Sequence, residues 1–134
     1  MQQSKDKRSQ IMRAVKGKNT APELLVRKII FSLGYRYRLH ASHLPGTPDI
    51  YFTKKQKAIF IHGCFWHGHT CKRGNRIPST NKDYWITKIE NNIKRDERAI
   101  TLLSEKGWSV LVVWECGLKD LTHLSNSLRT FMQS

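Results

Sequence analysis

The longest uninterrupted apolar runs in this chain are Ala58–Ile61 and Val110–Trp114. Both fall far short of the roughly 20 residues that a membrane-spanning helix requires, so no transmembrane segment is expected. A short continuous run such as Ala58-Ile59-Phe60-Ile61, fed by the Lys54-Lys55-Gln56-Lys57 turn, fits a strand covered on both faces. Trp108–Trp114 reads as a second buried strand. Two such strands demand helices above and below a sheet, and the remaining periodicities supply them.

Thr20 and Glu23 form a capping-box pattern with Pro22 in the first turn; Leu25, Ile29 and Leu33 follow at four-residue spacing before Gly34 stops the helix. From Asn81 a longer pattern places Ile86, Ile89, Ile93, Ile100 and Leu103 on one face and ends at Gly107. Leu121, Leu124, Leu128 and Phe131 repeat at helical spacing near the end of the chain. Tyr35–Leu39 alternates as a half-buried strand, Pro45-Gly46-Thr47-Pro48 breaks the chain, and Ile50–Phe52 forms a short strand. The expected order is α-β-β-β-α-β-α, a mixed central sheet flanked by helices. Residues 20–134 are expected to form one domain, preceded by a flexible basic arm over residues 1–19.

The charge is unevenly spread. The chain carries 24 Lys and Arg against 10 Asp and Glu, a net +14 with a pI near 10.1. Residues 1–40 hold ten positive and two negative side chains, residues 41–80 six and one, and residues 81–134 eight and seven. An anionic partner is implied. A membrane-surface helix is a poor fit, because Ser4–Asn19 offers only Ile11, Met12 and Val15 as bulky apolar residues. Nucleic acid fits better. The polar start Met1-Gln2-Gln3-Ser4-Lys5 lacks the apolar stretch of a secretory signal, which points to the cytoplasm and to reduced thiols.

The segment from His62 to Pro78 has no helical or strand period, yet it holds two cysteines, three histidines and three glycines. Cys64, His69 and Cys71 fall within eight residues, and Cys116 directly follows the last strand pattern. Three thiolates and one imidazole make a closed tetrahedral set suited to structural Zn²⁺, which would staple this loop to the end of that strand. Spacing leaves His62 and His67 as competitors for the fourth place, and a lone Cys116 also reads as a small buried hydrophobe.

Asp49 follows Pro48 and begins a strand that pairs across the lysine-rich turn with Ala58–Ile61. Its carboxylate and the Ile61 backbone carbonyl are suited to sharing a Mg²⁺ whose shell is completed by water. Phosphodiester hydrolysis needs such a cation, an attacking water and a proton for the leaving oxygen. Imidazole titrates near neutrality, so His67 suits the activation of water or the relay of a proton. Asp49 also reads as a plain turn residue.

Leu44-Pro45-Gly46-Thr47-Pro48-Asp49, Ile59-Phe60-Ile61-His62-Gly63-Cys64-Phe65-Trp66-His67 and Val112-Val113-Trp114-Glu115-Cys116 together resemble the very short patch repair (Vsr) DNA mismatch endonucleases. The resemblance implies a fold like that of type II restriction endonucleases. It also implies a Mg²⁺-dependent nick beside the mispaired thymine of a T·G mismatch, in the repair of deaminated 5-methylcytosine. It supports His67 as a catalytic histidine, His62 as a second and Glu23 as the residue that orients metal-bound water; the Thr20 capping box accounts for Glu23 equally well. Two departures stand out: Ile61 occupies a position where the family commonly has threonine, and the histidine run His67-Gly68-His69 is shorter. The first removes a hydroxyl and preserves the carbonyl.

By the same resemblance Phe65, Trp66 and Trp85 are intercalating aromatics, Met12 enters from the opposite groove, and Lys88 and Asn92 contact the mismatch strand or its phosphates. Wedging between base steps costs less where a pair is already mismatched. For Phe65 and Trp85 the competing reading is simple core packing. The expected partner is duplex DNA with a T·G mismatch, met by a monomer acting on the bacterial nucleoid, with a mismatch-repair protein as a stimulating partner. The alternatives are a zinc-stapled module that binds distorted duplex without cutting, and a nuclease of the same fold with another specificity.

Overall fold

The computed structural model describes residues 20–64 and 77–134. The basic arm with Met12, and the segment 65–76 with Phe65, Trp66, His67, His69 and Cys71, lie outside the described residues.

Helix α1 (Ala21–Ser32) begins at Thr20, whose side chain accepts the Glu23 N–H at 3.4 Å. Strands β1 (Arg38–Leu39), β2 (Ile50–Phe52) and β3 (Lys57–His62) follow, then α2 (Lys82–Glu105), β4 (Ser109–Trp114), a 3-10 turn (Glu115–Lys119) and α3 (Leu121–Gln133). The expected order stands, with the 3-10 turn added. The sheet runs β1-β2-β3-β4; β1, β2 and β3 are antiparallel neighbours, and β3 and β4 are parallel. A parallel pair requires a crossover, and α2 lies in that connection.

Alternation along β3 sorts the core into two layers. Ile59 packs with Val26 and Ile30 of α1, with Ile50 and Val113, and with Leu124, Leu128 and Met132 of α3. Ala58 and Phe60 point the other way and meet Leu103 of α2, with Ile100, Val110 and Val112 around them. Helices therefore cover both faces, as the apolar run of β3 requires.

Three expectations are corrected. The strand predicted over Tyr35–Leu39 pairs only through Arg38 and Leu39, opposite Tyr51 and Ile50, and Tyr35–Tyr37 lie outside the sheet. Trp108–Trp114 is not a buried strand: β4 is at the margin of the sheet among the described residues, and Val113 is its one buried side chain. On the helices, Met132 is buried while Leu121 is exposed, and Ala99 joins Ile89 and Leu103 as a buried residue of α2.

The loop before β2 is seated by close contact. Gly46 has φ +75°, and a Cβ built there would lie 2.6 Å from the Cβ of Ala99 and 3.1 Å from the Phe60 ring. The Pro45–Pro48 turn thus rests directly on α2 and β3. Ala41 N–H donates to Pro48 O and His40 N–H to Asp49 O, both at 3.1 Å, which fixes the entry into β2.

Candidate active site

Asp49 stands where the turn enters β2. Its N–H donates to Ile59 O at 3.1 Å, and its Oδ2 accepts the Ile61 N–H at 2.8 Å. A strand residue's N–H and C=O leave by the same edge, so the Ile61 carbonyl also opens on the Asp49 side of β3. A carboxylate and a carbonyl, both hard oxygen donors, are brought together there. Burial pushes the Asp49 carboxyl up to about 6, against the lowering effect of the Ile61 N–H. The nearby Glu23 charge and a hydrogen bond to Glu23 push it further, and His40 opposes them. A bound cation would relieve this electrostatic load.

Glu23, the expected second acid, lies in this environment. It is a buried acid, 1% exposed, in the first turn of α1. Its backbone N–H takes part in the Thr20 cap while its carboxylate is directed to His40, Arg27 and Asp49. His40 Nε2 lies 3.0 Å and 3.1 Å from the two carboxylate oxygens, and Arg27 Nη2 is paired with Oε2. The helix cap and the carboxyl cluster are therefore served by different atoms of one residue.

Sequence reasoning missed His40 and Arg27. Arg27 follows Glu23 by one helical turn, a spacing that places the two side chains on one face. His40 was legible only as the residue after an alternating strand. Its φ of +52° turns the chain at the end of β1 and carries the ring toward α1.

His62 closes β3 and is 5% exposed. Its ring meets Trp114 edge-on at 5.2 Å and 77°, and lies 5.7 Å from Phe60. Cys64 is buried, and its Sγ accepts the Cys116 N–H at 3.4 Å. The parallel pairing of His62 with Trp114 explains that meeting, since both strands leave the sheet at the same end. Two of the four expected zinc ligands are thereby adjacent; His69 and Cys71 lie outside the described residues, as does His67. Among the described residues no three His, Cys, Asp or Glu side chains converge as a metal cage.

The expected DNA-contacting residues of α2 lie on its first turns. Trp85 is half-buried and meets Tyr84 edge-on at 5.2 Å and 74°. Lys88 Nζ is 5.8 Å from the centre of the Tyr84 ring, and Asn92 Oδ1 accepts from Arg95 at 2.7 Å. Tyr84 is 57% exposed. Among the described residues no helix is long and apolar enough to cross a membrane.

Comparison with known proteins adds an independent line. The family model described as DNA mismatch endonuclease Vsr matches residues 2–73. The type II nicking enzyme V.XorIIP of Xanthomonas oryzae is 48% identical over 96% of this chain and 94% of its own length. The type II nicking enzyme V.NmeAIP of Neisseria meningitidis is 47% identical over 85% of this chain and 81% of its own length. The DNA mismatch endonuclease Vsr of Escherichia coli is 39% identical, covering 92% of this chain and 78% of its own.

Proposed function

The chain belongs to the Vsr family of DNA endonucleases, and from that premise we propose that it nicks one strand of duplex DNA beside the mispaired thymine of a T·G mismatch. The observation that carries this reading is the buried Asp49 carboxyl, braced by Ile61 N–H beside Glu23. The mismatch specificity draws its support from the Escherichia coli relative. In this reading the domain spans residues 20–134, with a fold like that of type II restriction endonucleases, and acts in the bacterial cytoplasm as a monomer.

Asp49 and the Ile61 carbonyl would hold Mg²⁺, which supplies charge neutralisation at the phosphate and acidifies a bound water. Glu23 orients water beside Asp49. His67 and His62 divide the proton transfers: one takes a proton from the attacking water as the new phosphorus–oxygen bond forms, and the other gives a proton to the leaving oxygen as its bond to phosphorus breaks. Cys64 and Cys116, joined by an N–H···S contact, would complete a structural Zn²⁺ site with His69 and Cys71. Phe65, Trp66, Trp85 and Met12 open the mismatch, with Lys88 and Asn92 on the strand; the basic arm adds salt-sensitive affinity.

A second reading has its own support: two more similar relatives are named as nicking enzymes, with no mismatch in the name. A same-fold nuclease of other specificity would follow. Nicking of T·G, matched and other mismatched duplexes, with and without EDTA, separates the readings. Equal rates on all three duplexes would remove the repair assignment, and binding without any nick would leave a DNA-binding module.

A further inference from the structure

Glu23 is the most deeply buried acid among the described residues, and both of its oxygens are engaged. Arg27, whose side chain is 12% exposed, pairs with Oε2 from one helical turn away. His40, 15% exposed, reaches both oxygens from the far end of β1. A carboxylate accepts and does not donate, so His40 Nε2 is the donor in these contacts. The two residues grip Glu23 from different elements, one helical and one from the sheet. A carboxyl held from two sides in this way keeps one orientation, and its oxygens are turned to nitrogen donors. Glu23, His40 and Asp49 are neighbours.

We propose that Arg27 and His40 are positioning residues that hold Glu23 back from direct metal ligation and fix it as a water acceptor beside Asp49. The inference rests on the metal-dependent nuclease reading above. A swinging Glu23 would add a second carboxylate to the cation and displace the water it is meant to orient. Arg27 prevents this twice, by occupying Oε2 and by placing a positive charge close to the site.

The test uses the full chain and Mn²⁺ as the probe, with binding followed by electron paramagnetic resonance and nicking followed under single-turnover conditions. In Arg27→Gln and His40→Ala the released carboxylate is expected to bind Mn²⁺ more tightly, by about tenfold where the Arg27 charge is also lost. The nicking rate at saturating metal should fall about 10- to 100-fold. His40→Gln, which keeps a side-chain N–H donor, should restore most of that rate.

Unchanged or weaker Mn²⁺ binding in both variants overturns the proposal, and so does a nicking rate within twofold of the parent. Thermal melting identifies a variant that fails to fold, and the other of the pair then carries the same comparison. A parent chain that nicks while its variants behave identically to it defeats only this inference. A parent chain that neither nicks nor binds Mn²⁺ defeats the nuclease reading, and the inference falls with it.

Discussion

The Ile61 N–H donates to Asp49 Oδ2 at 2.8 Å, so a main-chain group of β3 aims the one carboxylate at the entry to β2. Replacing that carboxylate removes the proposed anchor for the catalytic cation. Asp49→Ala should lower Mg²⁺-dependent nicking of a T·G duplex by at least about 10³-fold, a loss of roughly 4 kcal/mol in transition-state stabilisation. Binding to the same duplex in Ca²⁺ should remain. A variant that nicks at the parental rate would remove Asp49 from the site.

The same carboxyl should cost the metal-free protein stability. Its proton is held up to about pH 6 in the folded chain but is released near 3.8 in the unfolded one. Between these values the folded state binds more protons, so stability falls as pH rises, and the full cost is present above pH 6. Asp49→Asn should therefore raise the melting temperature at pH 7.5, by at most about 3 kcal/mol in free energy and less after solvent screening. The gain should vanish near pH 4. A gain that grew on acidification would show that burial of a charged Asp49 is not its source.

The proposed zinc site would hold the ends of β3 and β4 together through Cys64 and Cys116. The purified protein should contain one zinc per chain by elemental analysis, and Cys116→Ala should lose it. Removal should cost several kcal/mol and lower the melting temperature by about 10 °C or more. A parent chain without zinc, equally stable in strong chelator, would leave the pair as ordinary buried thiols.

Gly46 should tolerate no side chain. Gly46→Ala brings a Cβ to 2.6 Å from Ala99 in a left-handed backbone conformation, and about 2–4 kcal/mol of destabilisation is expected in urea unfolding. Gly34, with φ +91° and nothing within 4 Å of its built Cβ, is the control and should lose only about 1 kcal/mol on the same substitution. Equal losses at both would show that the contact with Ala99 is soft.

Much of the fold was legible in the sequence because it is written in local signals. The apolar run of β3 announced a strand with helices on both faces, Gly34 and Gly107 marked the helix ends, and Pro48-Asp49 marked the turn into β2. The extent of β1 and the partial exposure of β4 were not legible, because they depend on where each strand sits in the sheet and not on its own residues. Arg27 and His40 escaped notice for a related reason. His40 is seventeen positions from Glu23, and only the folded sheet brings its ring against α1. For Glu23 the sequence left two readings side by side, a helix cap and a catalytic acid, since the capping pattern speaks of the backbone N–H and is silent about where the carboxyl points.

The parallel pairing of β3 with β4 has a consequence for how the enzyme comes into being. Asp49, Glu23, His40 and His62 are all made before the ribosome reaches Ser109, yet β3 gains its parallel neighbour only after that. Closing so long a loop is slow compared with forming the β2–β3 hairpin. A nascent chain halted within α2 would own most of the proposed cutting groups without the Trp114 contact to His62 or the Cys116 contact to Cys64. On the proposed function, competence to cut DNA thus arrives late in synthesis, after β4 has joined the sheet.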